Sequence, residues 1–161
     1  MQPYILVSQD DFDAADLTAR MTAGRTDIGA VVSFTGYCRD ENKTLLALEL
    51  EHYPGMAEAQ LAHIAADALK RWPLQAVTIV HRSGLIKAGE QIVFVATASQ
   101  HRQAAFEAAE FLMDYLKSDA PFWKKEHLIT PAPTSEKTDP QSGWVKAKSS
   151  DTEMKKRWLD N

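Results

Sequence analysis

Cysteine is almost absent. Cys38 is the only one in 161 residues, which excludes an internal disulfide and any zinc site built on several thiolates. The five histidines do not fall at metal-ligand spacing with one another or with carboxylates, so no metal is expected. There is no P-loop and no Gly-x-Gly-x-x-Gly. No apolar stretch approaches the roughly 18 residues needed to span a bilayer. The start, Met1-Gln-Pro-Tyr-Ile-Leu-Val-Ser8, carries no basic leader ahead of a long apolar run, so no signal peptide is expected. Positive charge is scarce too. With 18 Lys and Arg against 22 Asp and Glu, the net charge is −4, which argues against general nucleic-acid or membrane-surface binding. Any basic site must be local, and the expectation is a cytoplasmic protein with no resident cofactor.

What is present suits one domain spanning 1–161, since 45% hydrophobic residues at this length suffice for a single core. Tyr4–Ser8 reads as a strand, followed by a helix near Phe12–Met21 capped by the Ser8, Asp10, Asp11 cluster. Gly29–Gly36 is apolar on both faces and is expected to be a central strand. Asp40–Lys43 is a polar loop. Leu45–His52 alternates, with Leu46, Leu48 and Leu50 on one face. After Pro54-Gly55, apolar residues from Ala57 to Trp72 recur at helical spacing until Pro73. Val77–Arg82 and Gln91–Ala98 are strands, with turns at Ser83-Gly84 and Ala88–Glu90. A helix over Gln100–Lys117 follows, with Ser99 as N-cap and a core stripe of Ala105, Ala108, Ala109, Leu112 and Leu116. Residues 130–143 hold three prolines and no periodicity, and are expected to be a mobile loop. Ser150-Asp-Thr-Glu153 is a capping-box pattern opening a short helix through Trp158. The expected class is mixed α+β.

The chemistry concentrates around that third-quarter helix. His101 and Arg102 in its first turn oppose the macrodipole, a conflict that a bound anion would resolve. Tolerated surface residues are the plainer alternative. Lys117 sits where lysine is favourable anyway, in the last turn. A Pro121-Phe122-Trp123 bend then presents Lys124 and Lys125, of which at most one need point inward. A lysine against aromatic surface can lose solvation and become a usable base. Arg39 follows a strand end; it either pairs with Asp40 or Glu41 or forks a phosphate or carboxylate. Cys38 reads as a small strand-end residue rather than a nucleophile, since no base is assigned to it. His81-Arg82, just before a turn, can be structural.

These blocks, taken together, resemble the MoaE family, the catalytic (large) subunits of molybdopterin synthase. The resemblance rests on Gly29-Ala-Val-Val-Ser-Phe-Thr-Gly36 with Arg39, Leu48-Glu-Leu-Glu-His-Tyr-Pro-Gly-Met56, His81-Arg-Ser-Gly84 and Gly89-Glu90. It continues through His101-Arg102-x-x-Ala-Phe106, Asp114-Tyr-Leu-Lys117 and Pro121-Phe-Trp-Lys-Lys-Glu126. It implies a mainly antiparallel, α/β hammerhead-like fold. The implied activity is insertion of two sulfurs into cyclic pyranopterin monophosphate to form the molybdopterin dithiolene. The implied donor is the C-terminal Gly-Gly thiocarboxylate of a small ubiquitin-like subunit, with a homodimer at the centre of a heterotetramer. The implied site residues are Arg39, His101, Arg102, Lys117, Lys124, Lys125 and Glu126. Lys117 would be the principal acid–base or nucleophilic group, and Lys124 would stabilise developing negative charge. Tyr37 and Cys38 stand where the family often has a basic residue and a small aliphatic, and are candidate substrate contacts. Two rival classes are a non-catalytic docking module for a ubiquitin-like tail and a phosphate-ester enzyme. The second is disfavoured by the missing metal constellation.

Overall fold

The computed structural model describes residues 2–119, 121–129, 144–145 and 149–159; the expected loop at 130–143 and the side chains of the expected capping box at Ser150 lie outside them. Among the described residues, eight strands and four helices follow in the order β1 (Tyr4–Ser8), α1 (Ala14–Thr22), β2 (Ala30–Tyr37), β3 (Leu45–His52), α2 (Met56–Arg71), β4 (Leu74–Arg82), β5 (Gly84–Lys87), β6 (Gln91–Ser99), α3 (Arg102–Asp119), β7 (Phe122–Leu128), β8 (Trp144–Val145) and α4 (Ser149–Lys156). They form two sheets. The first runs β1-β4-β6-β2, and the second β5-β3-β7-β8. Among the described residues, only the β1–β4 pair is parallel. The fold is mixed α+β.

Strand alternation sends the first sheet's residues to two different cores. Val77, Ile79, Val93 and Val95 meet Leu61, Ile64 and Ala65 of α2 and Phe111, Leu112 and Leu116 of α3. Val80, Phe94, Ala96 and Ala98 face Leu17 and Met21 of α1. Both faces of β4 and β6 are therefore covered, and each fully buried large side chain contributes about 1.5–3 kcal/mol. The expected α3 stripe of Ala105, Ala108, Ala109, Leu112 and Leu116 is all buried.

Several sequence expectations change in three dimensions. β2 is an edge strand, paired with β6 alone among the described residues, and Phe34 on it is exposed. An apolar run marks two unhydrated faces only when both are covered, and here one flank borders a cleft instead. Leu46 is exposed although Leu50 is buried, because the register shifts between Leu45 and Ala47; such a bulge re-aims the alternation. Ser83-Gly84 is more than a turn. Gly84, at φ +75°, swings the chain out of β4 and into the short strand β5 of the other sheet. α1 is capped by Asp13, whose carboxylate accepts the Ala15 and Asp16 N–H groups at 2.8 and 3.0 Å. α3 begins at Arg102, so His101 precedes it, with its N–H donated to Ser99 Oγ at 3.3 Å. The Pro-Phe-Trp segment continues directly into strand β7, which pairs with β3.

Candidate functional site

The two sheets and the C-terminal half of α3 enclose a cleft of about 1010 Å³. β2 and the residues after it supply Phe34, Tyr37, Cys38 and Arg39; α3 supplies Met113, Leu116 and Lys117; β7 supplies Lys124; β4 supplies His81. Three cations far apart in sequence, Arg39, Lys117 and Lys124, thus share one cavity.

Each arrives for a local reason. In β7, Lys124 registers with Leu50 and Lys125 with Glu49. Adjacent strand residues face opposite sides, so Lys124 joins buried Leu50 at the cleft while Lys125 turns to the other face. Glu126 shares the Lys124 side, in register with Leu48, and contributes to the field at Cys38. Lys117 occupies the last turns of α3, one residue beyond buried Leu116. Arg39 is exposed and ion-paired with Glu41, the plainer of its two expected arrangements, while remaining on the cleft wall. Asp40 spends its carboxylate on the loop, with Oδ1 accepting N–H groups of Asn42, Thr44 and Leu45 at 3.3, 3.0 and 3.2 Å. Burial opposes its ionisation, but those backbone donors outweigh it and leave its pKa below the usual value.

Tyr37 is exposed at the rim. Cys38 is buried against Leu50 and Ile86. Burial, and after it the carboxylates of Glu90, Asp40 and Glu126, pushes its thiol pKa up, so it stays protonated and unreactive at neutral pH. His101 and Arg102 are not brought to this cleft. They sit exposed at the opposite end of α3, and at 1.5 Å per residue Arg102 is about 22 Å from Lys117 along the axis.

Sequence reading missed what His81 does. Its ring stacks on Phe122 with centroids 3.9 Å apart and planes 11° from parallel. Its Nδ1 lies 2.8 Å from the Arg82 carbonyl, and burial, with Lys124 and His52 nearby, pushes its pKa down to about 4. Its place at a strand end before a sheet switch was the available signal. Arg82 is a structural clamp, its guanidinium donating to the Gln91 carbonyl at 3.0 Å and facing Glu90 at 3.5 Å.

The folded-state pKa of His81 lies below the unfolded value near 6.5, so the unfolded chain takes up the proton first. Stability should be full above about pH 6.5 and fall by roughly 3 kcal/mol as pH drops toward 4. Urea unfolding at pH 7 and pH 4.5 measures this, with His81→Phe, which keeps the stack, as control. Equal pH dependence in the two proteins would show that His81 is not the cause.

Among the described residues, no cluster of three or more His, Cys, Asp or Glu could hold a metal, and no helix is long and apolar enough to cross a membrane. The MoaE protein family profile matches residues 7–119. A molybdopterin synthase catalytic subunit from Mesorhizobium japonicum is 58% identical over 159 residues, covering 98% of this chain and 94% of the relative. Among solved structures, molybdopterin cofactor biosynthesis protein E from Burkholderia multivorans is 46% identical with a TM-score of 0.80, over 99% of this chain and 98% of that one. Molybdopterin synthase from Staphylococcus aureus is 30% identical with a TM-score of 0.71, over 91% and 98%. With the profile, the relatives and the fold in agreement, the chain belongs to the MoaE protein family.

Proposed function

We propose that this chain is the catalytic subunit of a molybdopterin synthase, a sulfurtransferase that inserts two sulfurs into cyclic pyranopterin monophosphate. The observation that carries this reading is the convergence of Arg39, Lys117 and Lys124 on one open cleft. The substrate brings a phosphate and the donor tail brings a thiocarboxylate. Both are anions, and both need fixed positive charge in a partly desolvated space. An arginine fork suits the phosphate, whereas a lysine can also move a proton. Lys117 accordingly handles the protons of ring opening and sulfur attack, and Lys124 offsets negative charge as it develops.

The partner is a small ubiquitin-like subunit ending in a Gly-Gly thiocarboxylate, whose side-chain-free tail is slender enough to enter the cleft. The large subunit works as a homodimer within a heterotetramer. For His101 and Arg102 to join the site they must reach the second copy's cleft, since α3 holds them at the far end of their own chain. Removing the partner's two terminal glycines should abolish single-turnover conversion of the pterin while only weakening association, measured by calorimetry. Unchanged sulfur transfer after truncation would refute the assignment; binding without any conversion by the intact partner would favour a docking module instead.

A further inference from the structure

Sulfur transfer as described uses three cations and leaves one inward-placed group of the cleft without a part, the imidazole of His81. That ring is held in three ways. Its backbone sits in β4 between Val7 of β1 and Val93 of β6. One face stacks on Phe122 of β7 at 3.9 Å, and Nδ1 meets the Arg82 carbonyl at 2.8 Å. A carbonyl oxygen only accepts, so Nδ1 carries the hydrogen and the neutral ring's Nε2 has a bare lone pair. Among the described residues, the only buried side-chain polar atom lacking a partner is Gln75 Oε1. His81 is buried but lines the cleft, and among the described residues no group is hydrogen-bonded to its Nε2.

The rest of the wall is rich in donors. Arg39, Lys117 and Lys124 can only donate while charged, which suits a phosphate and a thiocarboxylate but cannot read the N–H edge of a heterocycle. Of the carboxylates nearby, Asp40 Oδ1 accepts three backbone N–H groups and Glu41 pairs with Arg39, while Glu126 shares the face of Lys124, where a cation competes for it. Apolar Phe34, Ile92, Val93 and Leu116 border the same space and offer surface to the faces of a flat ring.

We propose that His81 Nε2 is a specificity-determining acceptor, which takes a hydrogen bond from a ring N–H of the pterin and orients the heterocycle while Arg39 and the lysines hold its phosphate. This rests on the function proposed above. Burial keeps His81 neutral, with a pKa of about 4, and neighbouring Lys124 and His52 act in the same direction. The group is thus an acceptor throughout the neutral range and too weak a base to store a proton.

The direct test is ¹⁵N NMR of the histidine-labelled wild-type protein in complex with its partner. A phosphate-free reduced pterin should move Nε2 toward the value of a protonated nitrogen, whereas inorganic phosphate should leave it unchanged. In kinetics, His81→Phe should raise KM for the pterin about 10-fold with kcat nearly preserved and partner affinity intact. His81→Gln, which restores an acceptor near Nε2, should recover most of the loss. An Nε2 signal unmoved by pterin, or moved equally by phosphate, would overturn the proposal, and that arm needs no variant to fold. Sulfur transfer with an unmoved Nε2 would sink the His81 assignment alone. A shifted Nε2 without any sulfur transfer would sustain it and sink the function.

Discussion

Lys117→Ala is expected to lower the single-turnover rate of sulfur insertion by about 10²–10⁴-fold with saturating partner, the range typical for loss of a positioned acid–base group. Fold stability should move little, because Lys117 is exposed at the end of α3 and surface substitutions usually stay within about 0.5 kcal/mol. Lys117→Arg separates charge from proton transfer. Arginine keeps the cation but holds its proton at any physiological pH, so partner binding should persist while turnover stays low. Lys124→Ala should cost less, on the order of 10–10²-fold, as one electrostatic contributor among several cations. A wild-type rate in Lys117→Ala would remove Lys117 from the chemistry and leave Lys124 as the candidate.

Asp114→Ala is expected to destabilise the fold by on the order of 3 kcal/mol, seen as a melting temperature lowered by roughly 6–12 °C. Asp114 is a buried acid on α3. It accepts from Arg157 Nε and Nη2 at 3.2 and 2.8 Å and from Trp158 Nε1 at 2.7 Å. Those three bonds hold the segment after α4 on α3, where Trp158 meets Trp72 and Phe111 edge-on at 5.7 and 5.6 Å. Alanine would strand the indole N–H and leave Arg157, among the described residues, with Glu110 at 2.6 Å as its remaining acidic partner. Asp114→Asn, which retains an acceptor for the indole, should fall between the two. The same variants assayed well below their melting temperatures should keep most of their turnover, because Asp114 faces α4 whereas Lys117, three residues on, lines the cleft. A wild-type melting curve for Asp114→Ala would mean that these three hydrogen bonds add nothing to the fold.

Much of this was legible from residue order. The helical spacing from Ala57 to Trp72 and the alanine-rich stripe of α3 each have one face to bury, so periodicity alone located them. That at most one of Lys124 and Lys125 need point inward was also legible; that it is Lys124 followed only once the expected bend proved to be strand β7, paired with β3. Errors fell where the outcome depended on a partner strand. β2 is as apolar as a central strand yet lies at an edge, Leu46 is turned outward by a bulge, and β5 is too short to show any period.

By itself the sequence determined the helices and the longer strands, the local basicity at Arg39, His101-Arg102, Lys117 and Lys124, and the blocks that resemble the MoaE family, since these follow from side-chain chemistry and near-neighbour spacing. Tertiary structure alone decided which cations meet. An 18-residue helix carries His101 and Arg102 away from Lys117, while the pairing of β7 with β3 brings Lys124 toward it. It also turned His81 from a strand-end residue into a fixed, neutral acceptor. Burial, ring stacking and a carbonyl 2.8 Å away are properties of the packed chain, and no local spacing encodes them.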